Sequence, residues 1–135
     1  MVKVNIKASF PYEIKQVWDI VSSFQECSWR SDVSKTVFLD DSTFIEYTKN
    51  GYETFFNITV IEPYKRIEFE MENSKMNGYW VGLFTQGSGK TEINFTENIH
   101  PKKIYLKPFV KTYLKRQQKN YVRDLRSTLE GFSRK

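Results

Sequence analysis

Glu97 is the residue whose type and position point most directly to chemistry. In residues 91–99, Ile93, Phe95 and Glu97 fall on one face of a strand while Glu92, Asn94 and Thr96 take the other. A carboxylate on that apolar face either reaches solvent at a strand end or lines a cavity with a perturbed pKa. As a base or acid it would need a partner, because proton abstraction beside a carbonyl also requires a group that stabilises the enolate; Arg30, Tyr113 and Tyr47 are the candidates. Other chemistries find little to work with. His100 is the only histidine, which excludes a multi-histidine metal site, and no metal or cofactor is expected. At a strand-to-helix junction it reads as a solvated linker residue. Gly87-Ser88-Gly89-Lys90-Thr91 superficially matches a phosphate loop, but Phe84 stands where the earlier glycine is required and a strand follows, so it reads as a hairpin turn.

These residues need elements to place them. Val2, Val4, Ile6 and Ala8 alternate with polar residues, which is the period of a half-buried strand. Pro11 fits a first helical turn, and Ile14, Val17, Trp18 and Val21 give the following helix one apolar face, ending near Phe24. From Val33 to Ile99 frequent turns separate β-rich runs. Asn50-Gly51 is the strongest hairpin signal, since both residues tolerate positive φ. The short spacings predict an antiparallel meander, because parallel strands need longer crossovers. Phe56, Ile58 and Val60 are expected on one face; Ile67, Phe69 and Met71 share another, with Glu68, Glu70 and Glu72 turned to solvent.

The segment from Pro101 to Phe132 reads as a long helix. Tyr105, Phe109, Tyr113, Gln117, Tyr121, Leu125 and Leu129 form a four-residue ladder, flanked by Leu106, Val110, Leu114 and Val122, and Pro108 should kink or restart the helix. The same segment is basic. Residues 101–135 hold 11 Lys/Arg against Asp124 and Glu130, a local charge of +9, whereas residues 1–100 carry −4. Lys103, Lys107, Lys111, Lys115, Lys119 and Arg123 recur every four residues, and their repulsion costs the helix ~1–2.5 kcal/mol unless acidic groups offset it. The glutamate-rich strand face is one possible partner, within the chain or in a dimer. An anionic membrane surface is another, and nucleic acid is the less favoured one because no nucleic-acid motif accompanies the run.

At 135 residues and 16.1 kDa the chain is expected to form one domain over residues 1–135. Cys27 has no partner, so no internal disulfide can form, and a start that alternates rather than showing an apolar run does not read as a signal peptide. A cytoplasmic location follows as the expectation. Aromatic residues make up 16% of the chain, enough to furnish both a core and an apolar pocket.

The strand VKVNIKASF, the helix start PYEIKQVWDIVSSF, the tryptophan in SWRSDV, the segment VIEPYKRIEFEM, the strand pair YWVGLFTQGSGKTEINFTENI and the long closing helix together resemble the START-like, birch-pollen-allergen-like superfamily. Its polyketide cyclase/dehydratase branch is the nearest type. The resemblance covers nearly the whole chain in order and spacing. It implies an α+β helix-grip fold, a curved antiparallel β-sheet wrapped around a long C-terminal α-helix, with a cavity between them for lipids, polyketides or other hydrophobic molecules. The matching positions are Trp29, the inward residues Phe56, Ile58, Phe69, Met71, Trp80, Phe84 and Phe95, and Phe109, Tyr113 and Gln117 on the helix.

Three functional readings follow. The favoured one is a binder or carrier of a hydrophobic small molecule, not an enzyme. The alternatives are a cyclase/dehydratase-type enzyme that uses Glu97 and docking of the basic helix on an anionic membrane surface. The expected assembly is a monomer or a homodimer.

Overall fold

The computed structural model describes residues 1–133. Strand β1 (Val2–Phe10) leads into helix α1 (Ile14–Val21), and six strands follow: β2 (Val33–Phe38), β3 (Thr43–Thr48), β4 (Glu53–Glu62), β5 (Arg66–Glu72), β6 (Met76–Gln86) and β7 (Thr91–Pro101). A single 3-10 turn (Ile104–Leu106) then opens helix α2 (Lys107–Ser133). The strands form one sheet in the order β1-β7-β6-β5-β4-β3-β2, antiparallel throughout. This is the α+β helix-grip architecture expected from the sequence.

Local chemistry explains the boundaries. Helix α1 starts at Ile14, later than Pro11 suggested, because Gln16 accepts the Glu13 N–H at 3.2 Å and Gln86, beside the β6–β7 turn, accepts the Ile14 N–H at 2.7 Å. It stops at Val21 rather than near Phe24. The Ser22 and Ser23 hydroxyls donate to Trp18 and Asp19 carbonyls at 2.7 and 2.6 Å, competing with a further helical turn. Gly51 holds a φ of 80° in the β3–β4 hairpin, as the Asn-Gly signal implied.

Two sequence expectations fail for geometric reasons. A register shift between Ile58 and Val60 places Val60 opposite Glu68, so Val60 leaves the face it was expected to share with Phe56. The long helix begins at Lys107, because β7 runs on to Pro101. Pro108 therefore lies in the first turn, where its missing N–H costs nothing, and no kink is needed.

The buried face of α2 also differs from the four-residue ladder. Four residues overshoot a 3.6-residue turn by about 40°, so such a ladder winds around the helix. Leu125 and Leu129 of the ladder are buried, together with Val110 and Leu114 of the flanking row and Gln118, while Phe109 and Tyr113 rotate out to solvent and Tyr105 is exposed in the preceding turn. The main core joins α1 to the sheet and the second half of α2 through Val17, Trp18, Phe84, Ile93, Leu125 and Leu129. A smaller cluster under the first half of α2 includes Val2, Val4, Met76, Ile99, Val110 and Leu114.

Glu68 and Glu70 lie on the opposite sheet face from Phe69 and Met71, so they do not neutralise the lysine row of α2. Glu72 holds Lys102 at 3.0 Å, and Glu68 is taken by Arg66 at 2.6 Å. Arg134 and Lys135, part of the basic count, lie outside the described residues.

Candidate ligand cavity

An aromatic floor crosses six strands. Phe38, Phe44 and Phe56 stack in succession at 4.9 Å, Phe56 meets Phe69 edge-on at 5.3 Å, and Phe69 stacks on Trp80 at 4.7 Å. Trp80 then touches Phe95 at 4.7 Å. Strand register produces this row, since Phe38 opposes Phe44, Phe44 opposes Phe56 and Phe69 opposes Trp80. Gly82 completes it. A Cβ there would stand 2.3 Å from Trp80 Cη2, so only glycine lets the indole lie across this point.

The roof is the segment of residues 22–32 together with α2. Ser31 donates to Asp124 of α2 through its N–H at 2.9 Å and its hydroxyl at 2.8 Å, which pins the segment to the helix. Trp29 packs edge-on against Tyr121 at 5.0 Å, and Phe24 reaches Phe44 at 5.5 Å. Between floor and roof lies a cavity of about 100 Å³, bordered also by Cys27, Met71, Gln117 and Gln118.

One wall is polar. Glu97 is 6% exposed and borders the cavity. Burial pushes its pKa up from 4.5 to about 7, against the opposing pull of a hydrogen bond from Gln118 and the charge of Arg30. Gln118 also donates to the Phe95 carbonyl at 3.4 Å. Arg30 reaches Glu46 at 3.0 Å and Asp32 at 3.3 Å, and its guanidinium sits 5.1 Å from the Tyr121 ring centre. Burial works against the charged guanidinium, but Glu46 and Asp32 outweigh it and hold Arg30 firmly protonated. Among the described residues the Arg30 Nε is buried without a hydrogen-bond partner. Burial raises the Glu46 and Tyr121 pKa values too, and Arg30 opposes both shifts.

The cavity thus offers a flat apolar floor, one carboxyl group poised to be protonated near neutrality, and a guanidinium on its border. Arg30 with Glu46 and Asp32 brings one positive charge against two negative ones, so the wall disfavours an anionic guest.

Of the residues expected to bind ligand, Trp29, Phe56, Phe69, Met71, Trp80, Phe95 and Gln117 border this cavity, as does Glu97. Four do not. Phe84 is buried in the main core, edge-on to Trp18 at 4.9 Å, because α1 covers that end of the sheet. Ile58 stands beside the β4 bulge, away from the cavity border. Phe109 and Tyr113 line a separate groove of about 930 Å³, open to solvent, with Asp32, Tyr52, Met76 and Leu106. Of the proposed carbonyl-polarising groups, Arg30 borders the cavity with Glu97, whereas Tyr113 and Tyr47 do not; Tyr47 instead packs under Lys35 at 4.8 Å.

Phe24, Phe44, Glu46, Gln118 and Tyr121 border the cavity without having been singled out. Phe44 and Glu46 share parity in the strand TFIEYT, and Gln118 lies one turn beyond Leu114 on the buried stripe. Those were the available signals.

No family model matches the chain, and no curated protein matches it in sequence. Solved structures do match. A START superfamily protein from Mycobacterium smegmatis superposes with a TM-score of 0.82 at 15% identity, covering 96% of this chain and 98% of that one. A conserved protein from Geobacillus kaustophilus gives 0.81 at 11% identity, covering 96% of each chain. DynU16, from the dynemicin biosynthetic locus, gives 0.69 at 16% identity; 95% of this chain is covered, but only 47% of that one. At these identities what is shared is the fold. The chain has the START-like helix-grip fold. Among the described residues no helix is long and apolar enough to cross a membrane, and no cluster of three or more His, Cys, Asp or Glu is placed to hold a metal ion.

Proposed function

We propose that the protein binds a hydrophobic small molecule that carries a neutral hydrogen-bond acceptor, with the acceptor directed at Glu97 and Arg30. The observation that carries this reading is the partly open aromatic cavity with a buried carboxyl group on its wall. Size narrows the guest. A cavity of about 100 Å³ is smaller than the ~150 Å³ apolar cavity known to take up benzene, and well below the ~300–1,000 Å³ of drug-sized sites. A whole lipid does not fit it. A ring therefore enters only in part, through the open side of the cavity, with the rest of it, or of a larger polyketide or aromatic compound, extending toward the outer groove. Arg30 at the cavity and Asp32 at the groove are joined by their 3.3 Å ion pair, which places that pair between the two spaces.

Titration with acetophenone, a ring bearing one carbonyl, tests this. The expected result is saturable NMR shifts of the Trp29 and Trp80 indole N–H signals and the Gln117 and Gln118 side-chain amides, with Trp18 unmoved. Shifts that never saturate, or that centre on Trp18, would reject the site.

A second reading rests on the Glu97 pKa of about 7, which suits a general acid or base at neutral pH. In a cyclase/dehydratase-type reaction Glu97 would take a proton from the carbon next to a carbonyl, while Arg30 stabilises the enolate oxygen. Protein-dependent deuterium exchange into the acetophenone methyl group should then fall about 100-fold in Glu97→Gln with binding retained. Exchange unchanged by that substitution would leave the protein a binder only.

A further inference from the structure

The β3–β4 turn, the β5–β6 turn, the end of β7 and the start of α2 gather at one end of the sheet. Large apolar side chains stand open there. Ile104 is 88% exposed and Phe109 71%, with Tyr105 and Tyr113 beside them. An aliphatic side chain this exposed beside two aromatic ones gains nothing from water, and no part of the described chain covers it.

Lysines surround the patch. Lys49 and Lys75 line the groove with Phe109 and Tyr113, while Lys103, Lys107 and Lys111 flank the apolar row itself. Among the described residues none of these five forms a salt bridge. Lys75 and Lys103 instead hover over Tyr52 and Tyr105 at 5.4 and 6.0 Å. The acidic groups at this end are few and mostly engaged. Asp32 is held by Arg30 and Glu72 by Lys102, leaving Glu53 next to Tyr52.

We propose that this end docks on an anionic lipid bilayer, with Ile104 and Phe109 entering the boundary between headgroups and acyl chains and the lysines facing lipid phosphates. Exposed apolar tips ringed by lysine are complementary to such a surface, which offers hydrocarbon below a negative layer. A second copy of the chain is a poorer occupant, because pairing two such ends would set lysine against lysine. Nucleic acid would use the charge but leave Ile104 in water. Docked in this way, the mouth of the outer groove faces the bilayer, from which an apolar guest could enter.

Flotation of the full-length chain with vesicles of phosphatidylcholine, with and without phosphatidylserine, tests the proposal. Binding is expected only with phosphatidylserine, weakening as salt is added. Near an anionic leaflet each lysine is worth about fivefold in affinity, so Lys103→Ala with Lys107→Ala should weaken binding about thirtyfold. Ile104→Ser with Phe109→Ser should weaken it at least about tenfold, with far-UV circular dichroism unchanged because both residues are exposed. Equal binding to phosphatidylcholine alone, or full binding by the serine variant, would overturn the proposal. So would absence of vesicle binding accompanied by salt-sensitive binding to an oligonucleotide, or by a dimer that the serine variant abolishes.

Discussion

Arg30→Met is expected to destabilise the protein by about 3–5 kcal/mol near neutral pH, the cost of leaving a buried charge without its partner. The Arg30 and Glu46 side chains are only 15% and 16% exposed and lie 3.0 Å apart. Burial already raises the Glu46 pKa with Arg30 in place, and nearby Asp32 adds to the rise. Without the guanidinium, Glu46 must either stay charged in a poorly solvated position or take up a proton. Protonation limits the penalty, so the loss should shrink as the pH is lowered. Arg30→Met combined with Glu46→Leu removes both buried charges, leaves Asp32 at 33% exposure to be solvated by water, and should recover most of the lost stability, since an apolar pair of similar volume is often as stable as a buried ion pair. Urea unfolding of the wild type and the variants measures this. A loss under about 0.5 kcal/mol for Arg30→Met would mean that the pair behaves as an exposed one and does not organise the cavity wall.

The second large effect is a dependence on pH that belongs to Glu97. Its folded-state pKa of about 7 lies above the ordinary 4.5, so the folded protein holds this proton more tightly than the unfolded chain does. That stabilisation is complete below about pH 4.5 and is lost as the pH rises through 7. The shift corresponds to about 3 kcal/mol, taking ~1.36 kcal/mol for each pH unit. Glu97→Gln keeps the neutral shape of the protonated acid and cannot ionise. Relative to the wild type it should therefore gain up to about 3 kcal/mol between pH 4.5 and 8. Taking the difference between the two proteins removes contributions that they share, including that of Glu46. A difference that stays flat across this range would show that Glu97 is well solvated or already paired.

The sequence announced the order of elements because each has its own period. Val2 to Ala8 alternate, Ile14 to Val21 repeat helically, and Asn50-Gly51 marks a hairpin that the structure places there. Parity also placed Glu97 on the inner face. It did not distinguish core from cavity on that face. Phe84 and Phe69 are both aromatic strand residues, and only the position of α1 decides that Phe84 is packed by Trp18 while Phe69 borders open space. The β4 bulge inserts one residue with no glycine or proline to signal it, so the face change at Val60 was invisible. The ladder on α2 misled because a repeat of four winds around the helix, taking Phe109 and Tyr113 to the outer groove and Gln118 to the buried stripe. The contact of Arg30 with Glu46 joins the loop after α1 to β3, and no local pattern specifies such a pair.

The central claim is that a neutral acceptor is held in the aromatic cavity by the protonated form of Glu97, and the acetophenone dissociation constant measured across pH tests it most directly. The account predicts saturable binding that weakens as the pH rises through about 7 in the wild type and stays level in Glu97→Gln. Absence of binding at any pH, or the same pH dependence in both proteins, would contradict it.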